Sequence, residues 1–154
     1  TIFGNRIHNA FQGIEWLHDE IDYDVISKNE PRVRETLRAC FQHPDIARYF
    51  TRTESAEVWR ERAFTYVEGN DYVSGIFDRV TVHRSPDGHI TRAEIIDFKT
   101  DQIRKGYTLE DATEEHRPQL IRYREALSRI IQLPTEHIQV SLLFTDIPQL
   151  VHLQ

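Results

Sequence analysis

Asp97 and Lys99 stand two apart in "EIIDFKTD" (residues 94–101), a run in which Ile95, Ile96 and Phe98 are strand formers with bulk to bury. Side chains two apart on a strand share a face. Ile95, Asp97 and Lys99 therefore line one side, and Ile96 and Phe98 the other. A carboxylate beside an ammonium on a core strand admits two readings. One is an ion pair on a solvated face. The other is a metal site with a catalytic lysine. Three further features bear on the choice. His8 follows Gly4 by one helical turn, Asp78 interrupts the apolar "SGIFDRV", and Gln119 and Tyr123 are four apart. Singly, each has a plain structural explanation: a satisfied histidine, a solvent-facing strand residue, a packed pair with a local hydrogen bond.

The elements that must position these residues are legible in the periodicity. Ile7, Phe11, Ile14 and Leu17 repeat at helical spacing, which predicts a first helix over "GNRIHNAFQGIEWL" with His8, Gln12 and Glu15 on a neighbouring stripe. The polar "DEIDYDVISKNE" reads as a loop. Pro31 opens a helix that aligns Val33, Leu37 and Phe41, and Pro44 opens a shorter one. Residues from about 19 to 56 thus read as a helical insertion or cap within a single domain spanning 1–154. "EVWRERAFTYV", "YVSGIFDRVTV" and "ITRAEIIDFKT" are separated by turn signals and predict a three-strand antiparallel meander. "TLED" has the form of a capping box, with Thr108 as the cap and Asp111 three later. Pro118 is expected to restart a helix running to about Ile131, and "HIQVSLLFT" and "QLVHLQ" read as two final strands. The sum is an α/β protein, a sheet with helices packed against it.

Bulk properties narrow the function classes. The chain of 154 residues is 39% hydrophobic and 29% charged, as expected of a soluble domain, and carries a formal charge of −6. That charge argues against a basic nucleic-acid-binding module and requires local cations for any anionic ligand. No apolar run approaches the roughly 20 residues of a membrane span, and no signal-peptide pattern is present. Cys40, the sole cysteine, excludes an internal disulfide, a cysteine-rich zinc site and a four-cysteine cluster, and fits a reducing, cytoplasmic setting. The chain opens at Thr1 and is read as part of a longer protein.

In order and spacing, "GNRIH", "GIFD", "IIDFKT" and "QLIRY" resemble the RecB-type nuclease branch of the PD-(D/E)XK superfamily, most closely the nuclease domains that end helicase subunits of the AddAB and RecB type. Glu61 in "RERAF" is similar to a glutamate of the family, more loosely. The resemblance runs from Gly4 to Tyr123 and implies a restriction-endonuclease-like fold, with a central mixed sheet flanked by helices. It implies that His8, Asp78, Asp97 and the backbone carbonyl of Phe98 ligate Mg2+ or Mn2+. Lys99 would activate the attacking water, and Gln119 and Tyr123 would brace the site or touch DNA. It further implies a substrate of single-stranded DNA ends, a helicase domain in the same parent chain and a partner subunit. The residue types suit the chemistry. Oxygen donors suit magnesium, a histidine nitrogen moves preference toward manganese, and a lysine ammonium stabilises developing charge on phosphate. An inactive nuclease-like module that binds DNA or a partner is the alternative, although such a module is expected to lack the lysine or an acid. A stand-alone nuclease of CRISPR adaptation is disfavoured by the absence of cluster cysteines.

The resemblance makes one geometric demand. Asp78 and Asp97 must project to one face from neighbouring strands. A four-residue loop with Arg84 opposite His89 achieves this. A three-residue loop with Ser85 opposite His89 sets Asp78 against Ile96, on the wrong face. The expectation is therefore an even loop, or a β-bulge between turn and site.

Overall fold

The computed structural model describes residues 1–154. Helix α1 (Ile2–Gln12) is capped by the Thr1 side chain, which accepts from the Gly4 N–H. It ends at Gly13, earlier than the apolar repeat suggests. Ile14 is buried all the same, because the chain beyond the helix folds back over the same core. The polar stretch that follows is not wholly loop. A single turn, α2 (Tyr23–Ile26), forms where the Asp22 carboxylate accepts from the N–H groups of Asp24 and Val25. Helices α3 (Pro31–Phe41) and α4 (Pro44–Ala47) both start on proline, as expected.

Strands β1 (Ala56–Glu68), β2 (Asp71–Arg84) and β3 (Ile90–Lys99) form the antiparallel meander. Helix α5 (Leu109–Ile131) crosses over to β4 (Ile138–Phe144), which pairs parallel to β3, and β5 (Gln149–His152) closes the edge antiparallel to β4. The result is a mixed five-stranded sheet in the order β1-β2-β3-β4-β5. Helix α5 begins at the Thr108–Asp111 capping box but does not restart at Pro118. It runs through the proline without interruption. The ring removes one N–H and crowds the carbonyl four residues earlier. Burial of Ala112, Leu120, Ala126 and Leu127 along both halves offsets that cost and keeps the helix whole.

The sheet separates two apolar cores. Ile95, Val80, Val140 and Leu142 meet α5 on one side. Ile96, Phe98 and Leu143 meet α1, α3 and the segment Ile46–Phe50 on the other. Residues 19–56 thus supply Val33, Leu37, Cys40 and Phe50 to the core that also seats α1. No helix is long and apolar enough to cross a membrane.

Register decides where the acids point. The turn closes with the Ser85 N–H donating to the His89 carbonyl, so its loop has the odd length. The ladder nevertheless shifts by one residue between His83 (opposite Arg92) and Arg84 (opposite Ile90), leaving Thr91 as the extra residue of a bulge. The bulge cancels the odd loop. Extended one step past the last rung, Arg79 opposite Ile96, this register sets Asp78 opposite Asp97.

Candidate active site

The β2–β3 ladder stops at Arg79 and Ile96, and the site lies just beyond it. There the Phe98 N–H donates to Asp78 Oδ2 (2.9 Å), so a side-chain carboxylate takes the place of the next rung. Residues on a strand direct N–H and C=O to the same neighbour. The Phe98 carbonyl therefore also faces the Asp78 side. His8 approaches from α1, with Nδ1 3.6 Å from Asp78 Oδ1 and its ring edge-on to Phe98. That distance is attraction without a hydrogen bond.

Asp97 is only 4% exposed. Lys99 Nζ lies 2.9 Å from Asp97 Oδ2 as an ion pair, and that oxygen is buried with no other polar partner. Lys99 Nζ donates to Gln119 Oε1 (3.3 Å), and Gln119 Nε2 donates to the Tyr123 hydroxyl (3.3 Å). The seven residues singled out in the sequence therefore fall into two linked strings. His8, Asp78 and Phe98 form one. Asp97, Lys99, Gln119 and Tyr123 form the other. They meet at the carboxylate pair.

The electrostatics follow from this crowding. Burial, and then the Asp78 charge, push the Asp97 carboxyl up to about 6, against the pull of Lys99. Contact with the Asp78 carboxylate raises the His8 pKa, against the opposing effect of burial. Burial, then the Asp97 charge, raises that of Tyr123. The site is thus short of positive charge, with Lys99 as its one ammonium. No three His, Cys, Asp or Glu side chains close into a finished metal cage. The donors nonetheless suit a hard divalent cation: two carboxylates on adjacent strands, one with a buried oxygen that has only the Lys99 ammonium beside it, a backbone carbonyl on the Asp78 side, and an imidazole.

Two glycines explain how the surrounding elements come so close. A Cβ on Gly75 would lie 2.8 Å from the Phe64 ring and 3.0 Å from that of Tyr123. The glycine of "GIFD" is thus the seat of the tyrosine of "QLIRY". A Cβ on Gly4 would meet Thr100 Oγ1 at 3.1 Å, so the bare α1 backbone rests on the residue that follows the lysine strand.

Periodicity missed three positioning features. Glu61 adopts φ 47°, and it and Asp78 drop out of the β1–β2 ladder together. On either side of that break the inward parity changes, from Trp59 to Phe64 on β1 and from Phe77 to Val80 on β2. An irregularity of this kind re-aims a side chain, here Asp78. Arg79, 1% exposed, spans to the carbonyls of Ile14 (2.8 Å) and Glu15 (2.6 Å) and fastens the chain after α1. Burial lowers its pKa to about 9. Beyond Lys99, Asp101 pairs with His116 Nε2 (3.0 Å) and accepts from the Tyr107 hydroxyl (3.1 Å), tying the loop to α5. Three nearby arginines are already engaged: Arg60 donates to the Gln12 carbonyl, and Arg62 and Arg104 lie over Trp59 and Tyr107.

In comparisons with known proteins, no family model and no curated protein matches this chain.

Proposed function

We propose that this chain is a divalent-metal-dependent deoxyribonuclease domain of the RecB-like, restriction-endonuclease-like type, hydrolysing phosphodiester bonds in single-stranded DNA ends. The observation that carries this reading is the buried Asp97 carboxylate, held beside the Asp78 carboxylate with only the Lys99 ammonium against its inner oxygen. Nothing in a purely structural ion pair requires a second carboxylate at that point.

His8, Asp78, Asp97 and the Phe98 carbonyl would hold Mg2+ or Mn2+. When bound, the ion supplies charge neutralisation at the phosphate and acidifies water. The remaining chemistry belongs to the side chains. Asp78 is fixed by the Phe98 N–H and does not rotate away. Lys99, steadied by Gln119, presents an ammonium to the developing charge on the phosphate oxygens, where such a contact contributes about 3–4 kcal/mol. Tyr123 locks Gln119 from behind. Magnesium dependence, exonuclease action, a place in a DNA-repair helicase–nuclease beside a helicase domain and partner subunit, and cytoplasmic residence all belong to this reading.

The second reading is an inactive nuclease-like module that binds DNA or a partner subunit. It is favoured by one observation, that His8, Asp78 and Asp97 stop short of a closed cage. End-labelled single-stranded DNA incubated with the chain in Mn2+, in Mg2+ and in chelator separates the two. Shortening that requires the metal and disappears in Asp97→Asn supports the nuclease. Intact DNA in all three conditions supports the inactive module.

A further inference from the structure

A groove of about 340 Å³ runs between the hairpin end of β2 and α5, lined by Phe64, Tyr72, Ser74, Gln119, Arg122 and Tyr123. Gln119 and Tyr123 belong to the site as well, since Gln119 bonds to both Lys99 and Tyr123. The groove wall is therefore the back of the catalytic lysine. At its outer end Tyr72 stands 79% exposed, on the strand pair where Val67, its cross-strand neighbour, is also exposed. This ring and the Val67 side chain beside it form an exposed pair that takes part in neither core.

The cations of α5 sort in an informative way. Arg117 pairs with Glu114, Arg129 pairs with Glu68, and Arg124 donates to the Leu153 carbonyl. Arg122 alone is uncommitted, and it is the one that lines the groove. In a chain of net charge −6, a free guanidinium beside an exposed aromatic ring marks a place for an anion with a flat apolar face. Nucleic acid combines the two, and only unpaired bases offer that face, because duplex bases stack on one another. A purely apolar peptide would leave Arg122, Ser74 and Gln119 unmatched.

We infer that this groove is a subsite for single-stranded nucleic acid, in which a base stacks on Tyr72 and a neighbouring phosphate pairs with Arg122. It guides the strand toward Asp97 and Lys99. The inference rests on the nuclease reading for the fate of the strand, but not for its binding.

The test is an NMR titration of the 15N-labelled chain with short oligothymidylate in chelator, where no cleavage intervenes. The amides of Tyr72–Ser74 and Gln119–Tyr123 are expected to shift. Tyr72→Ala should weaken binding about tenfold, as loss of one stacking platform does, while Tyr72→Phe binds as wild type. Arg122→Ala should weaken binding and flatten its salt dependence. Binding of duplex DNA should be indifferent to Tyr72→Ala. Unmoved groove amides would overturn the subsite and leave the face to a protein partner. So would a Tyr72→Ala variant that binds single strands as wild type does, or that weakens single strands and duplex alike. Cleavage in Mn2+ is scored separately. A strand that binds in the groove and is never cut removes the nuclease reading and keeps the subsite. A strand cut normally by a Tyr72→Ala variant with unchanged affinity does the reverse.

Discussion

The register of the β2–β3 ladder, carried one step beyond its last rung, sets Asp78 opposite Asp97, and it does so because Thr91 is an extra residue in β3. Without that bulge the three-residue turn would set Asp78 against Ile96, and the two acids would lie on opposite faces of the sheet. The juxtaposition is therefore built into the backbone register. Its energetic signature is mutual repulsion in the metal-free chain.

That repulsion has a sign in pH. The Asp97 carboxyl sits at about 6 in the folded chain against 3.8 in the absence of its surroundings. Between those values the folded state holds a proton that the unfolded state has released, so metal-free stability is greatest below this window and falls as pH climbs through it. His8, also raised, extends the fall above its ordinary 6.5. Asp97→Asn removes the first part. In chelator its melting temperature should be flat from about pH 4 to 6, where wild type declines, and near neutrality it should equal or exceed wild type. If Asp97 served only as the partner of Lys99, the variant would melt lower there instead. Thermal melts in chelator across that range read the difference.

In the proposed nuclease Lys99 would act on the reacting phosphate, and its side chain is linked to the fold only through Asp97 and Gln119. Lys99→Ala should fold and melt close to wild type, yet cut single-stranded DNA roughly a hundred- to thousand-fold more slowly. Turnover near wild type would take the lysine out of the chemistry.

The two motif glycines should respond differently to a methyl group. At Gly75 the new carbon meets two packed rings at 2.8–3.0 Å, so Gly75→Ala should cost about 1–3 kcal/mol. It should also slow cleavage by displacing Tyr123, and with it Gln119. At Gly4 the closest atom, at 2.9 Å, is the Thr1 hydroxyl that caps α1, so the methyl group displaces a terminal cap, at about 1 kcal/mol, and no packed ring. Gly4→Ala should cost less. Denaturant melts of both variants give the order, and the reverse order would contradict the packing described.

The sheet and the meander were legible because each rests on a local signal, period-two alternation and turn residues, whereas the candidate residues were grouped by the order of their motifs, and the fold brings them side by side. The need for an even turn or a bulge was legible too, since parity alone imposes it, but which of them occurs depends on backbone geometry at Thr91. What escaped was settled over longer range. Pro118 carries a stop signal that burial of Leu120 and Leu127 overrides. Ile14 continues a helical repeat that the chain leaves at Gly13. Arg79 carries no strand-pattern signal of burial, and only the carbonyls of Ile14 and Glu15, in the chain beyond α1, make it a buried tie. The positive φ of Glu61 has no sequence signal, because glutamate does not favour that conformation.

The most direct measurement is the electron paramagnetic resonance signal of free Mn2+ titrated with the chain. If Asp78 and Asp97 form a cation site, wild type should remove the free signal at a ratio near one or two ions per chain at sub-millimolar concentration, Lys99→Ala should do the same, and Asp97→Asn should leave the signal almost intact. A wild-type chain that leaves the free Mn2+ signal undiminished at millimolar protein would contradict the metal centre and, with it, the proposed nuclease.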